Sequence, residues 1–154
     1  MKLCRTCRAP ARRIARAGAL AILVAACDEV PGAGPPVLEL ANDTITLQEG
    51  ASIVDVTVQR TAESDFDPAA VEAQTGDVVR FVAGDNGSHA IVFESRALQP
   101  DVREYIERTG QMRSPPLLTN ESSWVVTLEG APAGEYPFRC STHGQRGLLS
   151  VSAP

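Results

Sequence analysis

Turn-forming residues interrupt this chain so often that beyond residue 37 there is little room for a long helix. Short apolar and β-branched runs are predicted as strands at 37–40, 44–47, 53–59, 70–73, 77–82, 90–93, 123–128, 134–139 and 148–151. Breakers separate them, among them Gln48-Glu49-Gly50, Gln74-Thr75-Gly76, Gly84-Asp85-Asn86-Gly87 and Glu129-Gly130-Ala131-Pro132. Many short strands with frequent turns predict an all-β fold, a sandwich or barrel. One segment departs from the pattern. In 100–108, Val102, Tyr105 and Ile106 fall at helical spacing with charges between them, Pro100 suits a first turn, and Thr109-Gly110 suits an end. The spacing predicts one short inserted helix covering a sheet edge. No internal repeat or long low-complexity tract is present.

The N-terminus reads differently. Residues 1–16 carry Lys2, Arg5, Arg8, Arg12, Arg13 and Arg16 and no acid, and an apolar run from Ala17 to Ala26 follows. That run is short for a permanent span but has the length of a signal-peptide core. It ends Leu23-Val24-Ala25-Ala26-Cys27, and small residues before a cysteine resemble the bacterial lipoprotein cleavage box. The resemblance implies cleavage before Cys27 and diacylglycerol on its sulfur; the alternative is an ordinary signal peptide with an incidental cysteine. The chain is therefore expected to divide into a lipoprotein-type signal peptide (1–26), a lipidated cysteine with a Pro/Gly-rich tether (27–37), and one domain (38–154). The expected location is exported, on the periplasmic or cell-surface side, with a lipid anchor as the only membrane contact. Cys4 and Cys7 fall in the segment due for removal. Arg12-Arg13 lies in surroundings that fit a twin-arginine signal poorly. Removal takes six of the fourteen basic residues and none of the nineteen acids, which leaves a net charge of −11. So acidic a surface argues against nucleic acid and favours a basic partner surface.

If Cys27 carries lipid, Cys140 has no disulfide partner. A lone thiol in an oxidising compartment is a liability unless something holds it. The chain has two histidines, His89 and His143, and Cys140-Ser-Thr-His143 can turn two side chains toward one point from a tight loop leaving a strand. His89, in Asn86-Gly-Ser-His89, must come from a different strand end. Gly84, Gly87, Gly144 and Gly147 flank the three residues and permit positive φ and close approach. One thiolate and two imidazoles form the ligand set of a mononuclear blue-copper site. Other chemistries stay open. A structural zinc needs four ligands and only three good nitrogen or sulfur candidates exist. A catalytic zinc with a bound water normally has a general acid or base beside it; Asp85 and Glu94 flank His89 but match no hydrolase motif. A cysteine nucleophile with a histidine base is the third option, at an unusual spacing. No catalytic residue is assigned, and two histidines are too few for a trinuclear copper centre.

Residues 53–152 resemble the cupredoxins, the small blue-copper proteins of the plastocyanin, pseudoazurin and amicyanin group. The resemblance rests on Phe66-Asp-Pro68 followed by Gly76-Asp77-Val78-Val79-Arg80-Phe81, on Asn86-Gly-Ser-His89, on Ser123-Trp-Val-Val-Thr127, and on Gly134-Glu-Tyr-Pro-Phe-Arg-Cys140 with His143 and Gly147 after it. It implies a Greek-key β-sandwich or barrel and one copper ion, cycling between Cu(I) and Cu(II), on His89, Cys140 and His143. The backbone carbonyl of Ser88 is expected near the metal. It also implies a monomeric electron carrier whose partner is a redox protein, such as a cytochrome or membrane oxidoreductase, reached through His143. A copper-handling module and a metal-free interaction domain are the other readings.

Two departures stand out. The family places a methionine five residues after the second histidine, where this chain has Leu148; Met112 lies elsewhere in the sequence. The resemblance thus predicts a three-coordinate site, or one completed by a carbonyl or by Gln145, with a raised reduction potential. Ala90 stands where an asparagine commonly braces the cysteine loop, so Asn86, Ser141 or Thr142 is expected to take over. Arg139 and Arg146 read as loop arginines close to the ligands. Trp124, Phe66, Phe81, Phe93 and Phe138 are predicted core.

Overall fold

A computed structural model describes residues 37–40, 43–61 and 65–154. The expected signal peptide, Cys27 and nearly all of the tether lie outside them. Period-two burial builds the strands. In Gly134–Cys140 the buried residues are Tyr136, Phe138 and Cys140, and in Ala70–Gln74 they are Val71 and Ala73. The order is β1 (Val37–Leu40), β2 (Asp43–Thr46), β3 (Ile53–Val58), β4 (Phe66–Asp67), β5 (Ala70–Gln74), β6 (Val78–Ala83), β7 (Ile91–Phe93), α1 (Pro100–Arg108), β8 (Ser123–Thr127), β9 (Gly134–Cys140) and β10 (Arg146–Ser152).

β1 and β2 form a hairpin, and the other strands form two four-stranded sheets, ordered β4-β3-β6-β8 and β5-β10-β9-β7. β3 runs parallel to β6 and β5 parallel to β10; the remaining pairs are antiparallel. Parallel neighbours require the chain to cross between sheets, as expected of a Greek-key sandwich. Val56, Val58, Phe81 and Val126 from one sheet and Val71, Ile91, Tyr136, Phe138 and Leu149 from the other make one core. Phe138 is its hub, edge-on to Phe66, Phe81 and Phe93 at centroid distances of 4.8, 5.2 and 6.3 Å. Trp124 stacks on Phe81 at 5.6 Å and packs against this core. The Gly76-Asp77 turn is tied by Asp77, whose carboxylate accepts from the backbone amides of Ser52 and Gln74, both at 2.8 Å.

The inserted helix buries Val102, Tyr105 and Ile106 in the main core. The Tyr105 hydroxyl donates to the carbonyl of Thr127 at 2.7 Å and also lies 3.2 Å from that of Glu129, pinning α1 to the end of β8. Tyr105→Phe is expected to lower stability by about 0.5–1.5 kcal/mol, with strand content unchanged, as measured by denaturant unfolding. No helix among the described residues is long and apolar enough to cross a membrane.

Strand ends differ from the predicted ones by a residue or two. The largest difference is at β10, which begins at Arg146 rather than at 148. β4 was not predicted as a strand, because two residues are too few to show alternation.

Candidate metal centre

Cys140 is the last residue of β9 and continues its core-facing row, which is why the thiol is buried. It pairs with Ile91 of β7. His89 immediately precedes β7 and is clamped by Leu117 through reciprocal backbone hydrogen bonds of 2.9 and 2.8 Å. His143 lies in the turn that joins β9 to β10. That turn is closed by the Cys140 amide donating to the Gln145 carbonyl at 2.9 Å and the Gly144 amide donating to the Cys140 carbonyl at 2.7 Å. Gly144 has φ +84°, so of the four flanking glycines it alone uses the left-handed region. Gly87 serves by close approach: a Cβ there would stand 2.8 Å from Asp85 Oδ1 and 3.0 Å from His89 Nε2.

Folding brings the three expected residues together. Their donor atoms all lie within 4.8 Å of one another, and Cys140 Sγ is 3.6 Å from His143 Nδ1. The rings of His89 and His143 meet edge to face at 5.3 Å. His89 is fully buried, and its Nδ1 has no hydrogen-bond partner. Its Nε2 donates to Asp85 Oδ1 at 2.8 Å. A carboxylate only accepts, so the proton sits on Nε2 and Nδ1 presents a lone pair. A buried, unpartnered nitrogen lone pair beside a buried free thiol is costly unless a cation binds there. Bonds of about 2.0 Å to nitrogen and about 2.3 Å to sulfur, opened to a trigonal angle, span roughly the observed sulfur–nitrogen separation. The residues fit a soft metal ion.

Asp85 is a well-held brace. Amides of Arg60 and Gly87 donate to it at 3.0 and 2.7 Å, and with the His89 contact they hold its carboxyl down to about 2. It therefore remains an acceptor for His89 across the physiological range. Asp85→Ala is expected to weaken metal binding about 10–100-fold while the fold persists, as measured by competition with a chelator.

The cysteine loop is braced in place of the missing asparagine by Ser141. Its amide and hydroxyl both donate to the Ala90 carbonyl, at 2.7 and 3.2 Å. Asn86 serves a different loop, accepting from the Asn120 amide at 3.1 Å, and Thr142 is exposed. Arg146 donates to Glu94 at 3.0 Å, and Arg139 lies 3.9 Å from the same carboxylate. Glu94 thus partly neutralises both arginines.

Leu148, Gln145 and Asp65 lie near the end of the ligand loop in different settings. Leu148 lies within the β10 ladder opposite Pro137, alternating with the buried Leu149 and Val151. Gln145 lies in the turn two residues after His143, immediately before β10 begins at Arg146. The Gln145 amide, with its nitrogen turned inward, donates to both carboxylate oxygens of Asp65. Asp65 is completely buried, and its Oδ2 accepts from His143 Nδ1 at 3.1 Å. Sequence reasoning passed over Asp65, one acid among nineteen; its only mark is its place before the Phe66-Asp-Pro68 motif. Ser88 is exposed beside the buried His89. Met112 is far along the ladder from His89, its carbonyl accepting from the Phe93 amide at 3.0 Å.

The family model for copper binding proteins of the plastocyanin/azurin family matches residues 52–152. The chain belongs to that family. Family members bind one copper ion, and the donor set described above is the one this member offers. Chloroplastic plastocyanin of Chlamydomonas reinhardtii is 32% identical over 149 residues, 94% of each chain. Among solved structures, oxidized plastocyanin from Dryopteris crassirhizoma gives a TM-score of 0.53 at 24% identity, covering 64% of this chain and all of that one. A copper-containing nitrite reductase from Thermus scotoductus gives 0.51 at 21% identity. This chain covers 26% of the reductase and the reductase match covers 77% of this chain, so the likeness is one of fold.

Proposed function

We propose that this cupredoxin is an exported, lipid-anchored electron carrier in which His89, Cys140 and His143 hold one copper ion. The observation that carries the reading is the unpartnered, buried Nδ1 of His89 facing the buried Cys140 thiol and His143. Bound copper supplies a one-electron couple between Cu(I) and Cu(II). The protein's own part is to hold the donors still and keep water out. The Asp85 bond fixes the His89 tautomer, the Leu117 clamp fixes its backbone, and the aromatic core under Cys140 fixes the thiol. The side chain of His143 keeps about a fifth of its surface exposed, which makes it the edge through which an electron reaches a partner. A net charge of −11 on the processed chain favours a partner with a basic docking surface. Processing before Cys27 and the tether that follows would hold this domain, as a monomer, on the periplasmic or cell-surface side of a bacterial membrane. Incorporation of labelled fatty acid at Cys27 tests the anchor.

A copper-handling role has one specific support. Asp65 gives His143 an alternative hydrogen-bond partner whenever the metal leaves. The two roles part on spectra and electrochemistry of the soluble domain. A carrier gives an intense visible thiolate-to-copper band and reversible voltammetry. Colourless Cu(I) binding with ready loss to a chelator would instead establish handling.

A further inference from the structure

Beside the ligand turn, the charge of the surface runs opposite to that of the chain. We propose that the groove between the turn after β7 and the adjoining ends of β9 and β10 is a docking site for an acidic segment of a protein partner, gripped by Arg139 and Arg146. This rests on the electron-carrier reading above and deepens it, because it gives that partner's contact surface a sign.

Register puts the arginines together. Arg139 of β9 stands opposite Arg146 of β10 on one side and Val92 of β7 on the other, and Val92 is bridged in turn to Arg113. Residues paired in this way share a face of the sheet. That face is the outward one, because Phe138 and Cys140, the chain neighbours of Arg139, are buried. A groove of about 360 Å³ opens along this row, lined by Val92, Arg139 and Arg146 and by Glu94 and Arg96 of the turn after β7. The Ala97 amide closes that turn by donating to the Glu94 carbonyl at 2.7 Å, and Leu98 beyond it is buried, so the groove is built into the fold. The sequence supplies the sign. Residues 90–97, 111–118 and 139–146 carry four arginines and one acid, Glu94, on a processed chain of net charge −11.

Like charges directly opposite one another on a sheet are destabilising, and one carboxylate offsets this pair only in part. Glu94 accepts from Arg146 Nε at 3.0 Å, but Arg139 Nε is 3.9 Å away, too far for a hydrogen bond. Arg96 and Arg113 form no ion pair among the described residues. The side chains of Arg146 and Arg139 are 74% and 40% exposed, that of Glu94 only 20%. Each guanidinium carries five N–H donors in a planar fork, so most of the donors here face solvent unused. Carboxylates fit such forks bidentately. Position supplies the link to electron transfer. Arg139 precedes Cys140 in β9, and Arg146 begins β10 directly after the ligand turn. A partner seated in the groove touches the two strand ends that carry that turn. The rest of the chain is acidic, so the partner that fits presents acid to this groove and base around it. That pattern fixes orientation more than affinity.

The test titrates the full chain, in neutral detergent, with hexaglutamate and reads backbone amide shifts by NMR. In about 0.1 M salt the Debye length of about 10 Å screens the distant acids but not a contact in the groove. Shifts should concentrate at 92–97, 139–140 and 146. Arg139→Glu with Arg146→Glu should weaken binding about tenfold or more. Arg103→Glu with Arg108→Glu makes the same change in net charge on α1, whose Val102 packs at the Gly134 end of β9, and should weaken it by less than about twofold. If the first pair fails to fold, Arg139→Gln with Arg146→Gln decides, with about threefold weakening or more expected. Equal weakening by the two glutamate pairs would reduce the effect to net charge and overturn the proposal. Inorganic phosphate binding the groove as tightly as the peptide would make it a small-anion site and overturn it too, as would the absence of any shift with hexaglutamate. The titration needs no copper. A chain that takes up no copper would therefore sink the electron-carrier reading and leave the groove to be decided by these shifts.

Discussion

Cys140→Ser should abolish the visible thiolate band completely and leave a folded protein. The thiolate is the soft donor that selects copper and gives the intense ligand-to-metal transition, and a hydroxyl replaces neither property. Affinity for Cu(I) should fall by more than the roughly 10–100-fold that loss of an outer brace costs, because a ligand is lost and not its support. The fold should survive for a local reason. Cys140 makes no disulfide, and its backbone is held by the ladder to Ile91 and by the Gln145 and Gly144 turn bonds, none of which uses the sulfur. Burying a hydroxyl there costs the metal-free protein no more than about 1–3 kcal/mol. Titration with copper, followed by absorption and by far-ultraviolet circular dichroism, separates the two effects. A surviving band in the serine variant would mean that Cys140 is not the copper thiolate.

Phe138→Ala should cause the largest loss of stability of any single core truncation near the site, about 3–5 kcal/mol. Phe138 is fully buried, with three aromatic rings packed around it, and it lies over Gly147, where any Cβ would collide with its ring. Since Phe138 sits one pleat before Cys140 on the same row of β9, its removal also loosens the support under the thiol. Urea unfolding of the metal-free protein should show a lower midpoint with little change in slope. A loss below about 1 kcal/mol would show that the core collapses around the gap, and that Cys140 is positioned by its loop alone.

Strand existence was legible because alternation is strong where one face is buried, as along Tyr136, Phe138 and Cys140. Strand ends were less so, since side-chain period does not say where pairing stops. The inserted helix was legible to its ends, because Pro100 and Gly110 mark them chemically. Of the site, His89, Cys140 and His143 were legible from scarcity: there are two histidines and one cysteine beyond the tether. Asp85 was visible next to His89, but its role as a brace was not, because that depends on which ring nitrogen turns outward. The fourth position was less legible than the three donors. Counting five residues past His143 reaches Leu148, and β10 begins at Arg146 and so includes that residue, which the sequence did not foretell. Asp65 was invisible for the converse reason. It is 75 residues from Cys140 in the chain, and only the packing of β4 against β3 carries it to the cluster.

Native mass spectrometry of the purified soluble domain, titrated with copper, addresses the metal centre most directly. The wild type should take up one copper ion per chain, saturating at a single equivalent, while Cys140→Ser under the same conditions should not. A wild-type chain that stays metal-free with copper in excess would contradict the assignment of His89, Cys140 and His143 as a copper site.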